Sequence, residues 1–160
     1  MKMYEIGLYE KAMPGELSWR EKLLTAKELG YDFVELSVDE TDAKLARLDM
    51  TGEERLEILK IMNEVGVPFR SMCLSGHRKY PLGSGNPATC ARGMEIMEKA
   101  VQLAADLGIR IIQLAGYDVY YEDSTPETVA RFGENLKKAT MMAAKAGVML
   151  GFETMETEFM

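Results

Sequence analysis

The residues of this chain that could do chemistry lie at the ends of short β-rich runs or in the loops just after them. Glu153 is the sharpest of them. It ends an apolar strand-like run, Val148-Met149-Leu150-Gly151-Phe152, where a carboxylate facing an interior is costly unless it is paired or bound to metal. Such a group could serve as a metal ligand and, standing close to a substrate proton, as an acid/base. Its bland alternative is an exposed edge residue. The densest positive charge is His77-Arg78-Lys79, which also holds the single histidine. Three donors on one loop suit an anionic group such as phosphate, or a sugar hydroxyl; a solvated basic turn fits equally well. A lone histidine cannot build a metal centre by itself. The first loop offers Tyr9, Glu10 and Lys11, with Lys11 a further substrate-binding candidate. Gln113 and Tyr117 could hydrogen-bond a polyol, although the tyrosines at 117, 120 and 121 could instead pack beneath a long loop. Glu35 is expected to form a structural salt bridge to a neighbouring strand. Asp39-Glu40-Thr41-Asp42 reads as a solvated turn leading into a helix. Cys73, mid-strand among apolar residues, reads as a buried inert thiol.

These positions recur because the chain repeats. Four segments share one grammar of helical run, glycine stop and short β-rich run. They lead into Phe33-Val34-Glu35-Leu36, Phe69-Arg70-Ser71-Met72-Cys73, Arg110-Ile111-Ile112-Gln113-Leu114 and Met149-Leu150-Gly151-Phe152-Glu153. The glycines at 30, 66, 108 and 147 are spaced by 36, 42 and 39 residues and predict left-handed helix stops. An opening strand, Tyr4 to Leu8, precedes the first helix. A helix between successive strands requires parallel pairing with right-handed crossovers.

The helices carry their own signals. Ser18 with Glu21, and Thr51 with Glu54, predict capping boxes, and Thr125-Pro126 opens the last helix. Apolar stripes are expected at Trp19, Leu23, Leu24, Ala26 and Leu29, and at Leu56, Leu59, Ile61, Met62 and Val65. A third runs through Met94, Met97, Val101, Leu103 and Ala104. The expected fold is α/β, five parallel strands alternating with four helices in one domain over 1–160. The segment after the first strand has no G-x-G-x-x-G, which argues against a dinucleotide-binding open sheet and for the N-terminal half of a (β/α)8 barrel. Eight such units take about 250 residues, so strands six to eight are expected to be missing. In such a barrel, chemistry sits at the C-terminal strand ends.

Composition narrows the function classes. Hydrophobic residues make up 47% and charged residues 28%, as in a folded globular protein, and no apolar run is long enough to span a bilayer. A net charge of −7 argues against nucleic acid and anionic membranes as partners, but not against a phosphorylated sugar. The acidic start of the chain does not read as a signal peptide. The two cysteines lack metal-site or redox spacing, so a reduced cytoplasmic setting is expected. The 13 methionines are scattered and read as core filler.

Four stretches resemble the L-ribulose-5-phosphate 3-epimerase family, also called L-xylulose-5-phosphate 3-epimerases, within the xylose-isomerase-like barrels. They are Ile6-Gly7-Leu8-Tyr9-Glu10-Lys11-Ala12, the run from Asp32 to Asp42, the run from Ser71 to Ser84, and the run from Ile109 to Tyr121. The resemblance implies inversion at C3 of a ketopentose 5-phosphate, as in ascorbate catabolism, through an enediolate held on a divalent metal between two glutamates. It implies metal ligands Glu, Asp, His and Glu from strands five to eight, of which Glu153 matches the first. The others would lie past Met160, so the chain alone is expected to be inactive. Its open barrel edges are expected to drive oligomerisation. A sugar-phosphate-binding module without catalysis, a self-assembling half-barrel, and another sugar-phosphate isomerase are the alternatives.

Overall fold

The computed structural model describes residues 3–155. Five parallel strands, β1 (Gly7–Tyr9), β2 (Phe33–Val38), β3 (Phe69–Leu74), β4 (Ile111–Ala115) and β5 (Met149–Glu153), form one sheet in sequence order. The order has no reversal point, so each crossover advances in one direction, as a barrel wall requires and a doubly wound sheet does not. The helices between the strands are α1 (Trp19–Glu28), α3 (Gly52–Val65), α4 (Pro87–Leu107) and α5 (Pro126–Lys145). A one-turn helix, α2 (Asp42–Leu45), is added in the β2–α3 connection. A single turn carries too little periodicity to show in a sequence, so the expected four helices become five. Thr41 caps α2, confirming a helix approach at 39–42.

Local signals set the helix boundaries as expected. Ser18 and Glu21 form a capping box on α1, and Thr51 and Glu54 form one on α3. Asn86 caps α4 ahead of Pro87, and Thr125 caps α5 ahead of Pro126. Gly30, Gly66, Gly108 and Gly147 have φ of 82°, 80°, 74° and 68°. A β-carbon makes this left-handed region costly, so glycine is what lets each helix turn straight back into a strand.

β4 and most of β2 and β3 alternate, with Ser37 and Phe69 buried out of phase and a register shift in the β2–β3 pairing at Val34/Glu35. Leu8, Val34, Leu36, Val38, Met72, Leu74, Ile112 and Leu114 point to the helices and are buried with Leu23, Ile58, Met62, Ile96, Met97 and Leu103. This layer between sheet and helices is the core. Three expected stripe positions are exposed instead: Leu24, Leu29 and Leu56. The faces of α1 and α3 that meet the sheet are narrower than the apolar stripes suggest. The other strand face lines the inside of the barrel wall. There the lower residues Ile111 and Met149 stand open, at 43% and 63% exposure. The upper residues are polar and form the site described next.

Candidate active site at the C-terminal strand ends

The inward residues at the tops of the strands are Tyr9 on β1, Glu35 on β2, Cys73 on β3, Gln113 and Ala115 on β4, and Glu153 on β5. Register aligns them: Tyr9 lies beside Glu35, Cys73 beside Gln113, and Ala115 beside Glu153. Together with Lys11, Ser75, Arg78 and Met155 they line a cavity of about 410 Å³. A larger groove, about 670 Å³, lies on the outer helical layer between α4 and α5 and contains no strand residue. The inner cavity is the one that matters, because it collects convergent polar groups at the barrel end where βα enzymes react.

Four of the six expected site residues meet here: Lys11, Arg78, Gln113 and Glu153. Glu153 stands on the inner face and is exposed, on an edge strand with no neighbour on its far side. Lys11 bridges Asp39 at 2.6 Å. Burial pushes the Asp39 carboxyl up, but Lys11 and the Thr41 hydroxyl and amide outweigh it and hold it below its ordinary value. Among the described residues Glu35 does not form the salt bridge expected of it. Its Oε2 accepts a hydrogen bond from the Ser71 hydroxyl on the adjacent strand at 2.6 Å, and its side chain faces the cavity. Burial pushes the Tyr9 hydroxyl up to about 12 and the Cys73 thiol above its usual value, with Glu35 and Glu153 adding to the latter. Cys73 is therefore a neutral thiol at working pH, half-buried on the cavity wall. Both cysteines are free.

Two expected site residues lie elsewhere. Tyr117 is buried, at 4% exposure, and does not line the cavity; burial pushes its hydroxyl up to about 12, with the nearby Arg78 guanidinium pulling the other way. His77 sits inside the 3-10 turn Gly76–Arg78 and is buried. Its Nε2–H donates to the Gly93 carbonyl of α4 at 3.1 Å. It anchors the loop from below while its neighbour Arg78 reaches the cavity. Neighbours in a tight turn point in opposite directions, and composition could not say which of the two faced inward.

His77 has a measurable consequence. Burial lowers its pKa to about 4, with the Gly93 carbonyl pulling the other way. The unfolded chain protonates it near 6.5, so between these values the unfolded state binds more protons. Stability therefore rises with pH across this window and is lost as pH falls from 6.5 to 4. Urea unfolding should show the wild type losing about 2 kcal/mol between pH 7 and pH 5. His77→Gln should flatten this slope; an unchanged slope would show that the ring titrates freely.

Sequence reasoning counted Glu10 among the first-loop polar candidates but missed its structural role. It lies in the 3-10 turn Glu10–Ala12, at 1% exposure, and accepts from Lys22 (2.9 Å), Lys44 (2.7 Å), Arg47 (2.6 and 2.8 Å) and the Ser37 amide (2.9 Å). These donors come from α1, α2, the 3-10 turn after it, and β2. Lys22 and Arg47 also stack on Trp19, 5.3 and 4.4 Å from its ring centre. Glu10 is thus a structural hub under the first loop. No local pattern signals it, because its partners lie 12 to 37 residues away.

A cavity with two cations, two carboxylates, an amide and two hydroxyls suits a small, anionic, polyhydroxylated molecule. It does not build a metal centre alone: among the described residues no group of three histidine, cysteine or acidic side chains is placed to hold a cation. No helix among them is long and apolar enough to cross a membrane.

Residues 23–160 match the family model described as xylose isomerase-like TIM barrel. Over 159 residues the chain is 54% identical to L-ribulose-5-phosphate 3-epimerase UlaE of Salmonella paratyphi B, covering 99% of this chain and 56% of that protein. The Salmonella dublin protein of the same name matches equally. The chain thus spans about half the length of the curated relatives it matches. Among solved structures, a D-psicose 3-epimerase crystallised in the presence of D-fructose superposes with a TM-score of 0.75 at 17% identity, covering 92% of this chain and 51% of that one. An L-ribulose 3-epimerase gives 0.68 at 22%, covering 94% and 49%. At these identities the two structures speak for the fold alone, and they agree with the strand order and the family model. The chain belongs to the xylose isomerase-like TIM barrel family.

Proposed function

We propose that this chain forms the first five strands of a sugar-phosphate 3-epimerase acting on a ketopentose 5-phosphate such as L-ribulose 5-phosphate. The observation that carries this is the 54% identity to L-ribulose-5-phosphate 3-epimerase along nearly the whole chain. The polar inner cavity agrees with it. In this reading Arg78 and Lys11 receive the phosphate, Gln113 binds sugar hydroxyls, and the Glu153 carboxylate takes the C3 proton. His77 and Tyr117 serve from outside the cavity lining, His77 by tying the Arg78 turn to α4 and Tyr117 by packing beside Arg78. Glu153 fits a divalent cation as one oxygen ligand, and such a cation, when bound, would polarise the carbonyl next to C3. The described residues bring no group of three such ligands together, so the chain alone is expected to be inactive. Its compartment in this reading is the cytoplasm, where free thiols persist.

The open edges at β1 and β5 and the exposed Ile111 and Met149 favour pairing with further barrel strands, from a second copy or a complementary half. Light scattering on the chain alone should give at least twice its 17.9 kDa. Co-expression with the remaining part of the Salmonella relative should restore deuterium exchange at C3 of L-ribulose 5-phosphate, followed by proton NMR. A soluble complex that binds the sugar phosphate but never exchanges C3 would sink the epimerase reading, leaving a binding module.

A further inference from the structure

Arg78 is held on the cavity wall in an unusual way. Its guanidinium carbon lies 4.8 Å from the ring centre of Tyr120. Tyr120 is braced in turn: its ring centre is 5.2 Å from that of Tyr117 and 4.9 Å from that of Tyr121, the latter edge-on at 89°. The Tyr121 hydroxyl donates to Glu40 Oε1 at 3.0 Å. The box therefore joins the loops after β2, β3 and β4. Within it three buried polar atoms, Arg78 Nε, Glu40 Oε2 and the Tyr117 hydroxyl, make no hydrogen bond. A guanidinium fixed by a carboxylate spends its donors on that partner. One fixed by stacking keeps its in-plane N–H groups free.

We propose that Tyr120, braced by Tyr117, Tyr121 and Glu40, is a positioning residue that orients Arg78 by stacking, so that its donor edge stays open for the phosphate of the substrate. The inference rests on the phosphate role given to Arg78 above. It explains why a cavity cation is surrounded by tyrosines, and why Glu40, whose charge also acts on Arg78, spends its hydrogen bond on Tyr121.

The test is calorimetric titration of the 160-residue chain with L-ribulose 5-phosphate and with unphosphorylated L-ribulose, with folding checked by circular dichroism. Tyr120→Leu should weaken the phosphorylated sugar about tenfold and leave L-ribulose unchanged. Tyr120→Phe, which keeps the ring face, should restore the wild-type ratio. Wild-type affinity in Tyr120→Leu, with loss in Arg78→Ala, overturns the positioning role alone. Equal weakening of both sugars by Tyr120→Leu overturns it too, by revealing a general structural effect. Should Arg78→Ala keep its preference for the phosphorylated sugar, or the wild type have none, the phosphate reading of Arg78 falls and takes this inference with it.

Discussion

Replacing Glu10 with alanine should cost about 3–5 kcal/mol, a large fraction of the stability of a typical domain. The carboxylate accepts five hydrogen bonds from three cations and one amide while almost fully buried. The penalty comes chiefly from what stays behind. Lys22 is itself buried, and Arg47 and Lys44 are mostly covered, so all three would be left with mutual repulsion and no counter-charge. Burial by itself pushes the Glu10 carboxyl up, but Arg47, Lys22, Lys44 and the Ser37 amide together hold it well below the usual carboxylate range. A depressed folded pKa means that this stabilisation is complete above the unfolded value, about 4.3, and drains away as pH falls below it. Urea denaturation at pH 7 should give the loss directly, and Glu10→Gln should remove the acid-dependent part below pH 4. The two windows separate cleanly, because His77 acts above pH 4 and Glu10 below it. A Glu10→Ala protein within 1 kcal/mol of wild type would show that the cations relax into solvent and that the hub carries no net stability.

The second large effect concerns activity. In the complemented barrel, Glu153→Gln should lower C3 exchange by about two to four orders of magnitude, the usual share of a positioned acid/base. An amide keeps the size and the hydrogen bonding of the side chain but cannot take a proton. Glu153→Asp should recover part of the rate, since it keeps the carboxylate but withdraws it by one methylene. Binding of L-ribulose 5-phosphate to the cavity should fall far less than turnover, because Arg78 and Lys11 line the same cavity independently of Glu153. Exchange in Glu153→Gln within tenfold of wild type would remove Glu153 from the proton transfer.

Much of the architecture was legible in the residues because its causes are local. A capping box needs only Ser18 and Glu21, a helix stop needs only Gly66, and a parallel strand is implied by a helix lying on each side of it. Side-chain direction is local in the same way, although the register shift at Val34/Glu35 is not. The alternation that buries Val34 and Leu36 must aim Glu35 the other way, just as the run ending at Glu153 aims that carboxylate inward. Tertiary structure alone decided the partners of the polar groups. Glu35 took a serine hydroxyl where a salt bridge was expected, and Glu10, one of three polar candidates on the first loop, became the centre of a buried charge cluster. Of two adjacent basic residues, His77 went under its loop and Arg78 into the cavity. The physical reason is range: backbone turns and periodicity are written within four residues, whereas a buried charge is satisfied by whichever donors the folded chain brings to it.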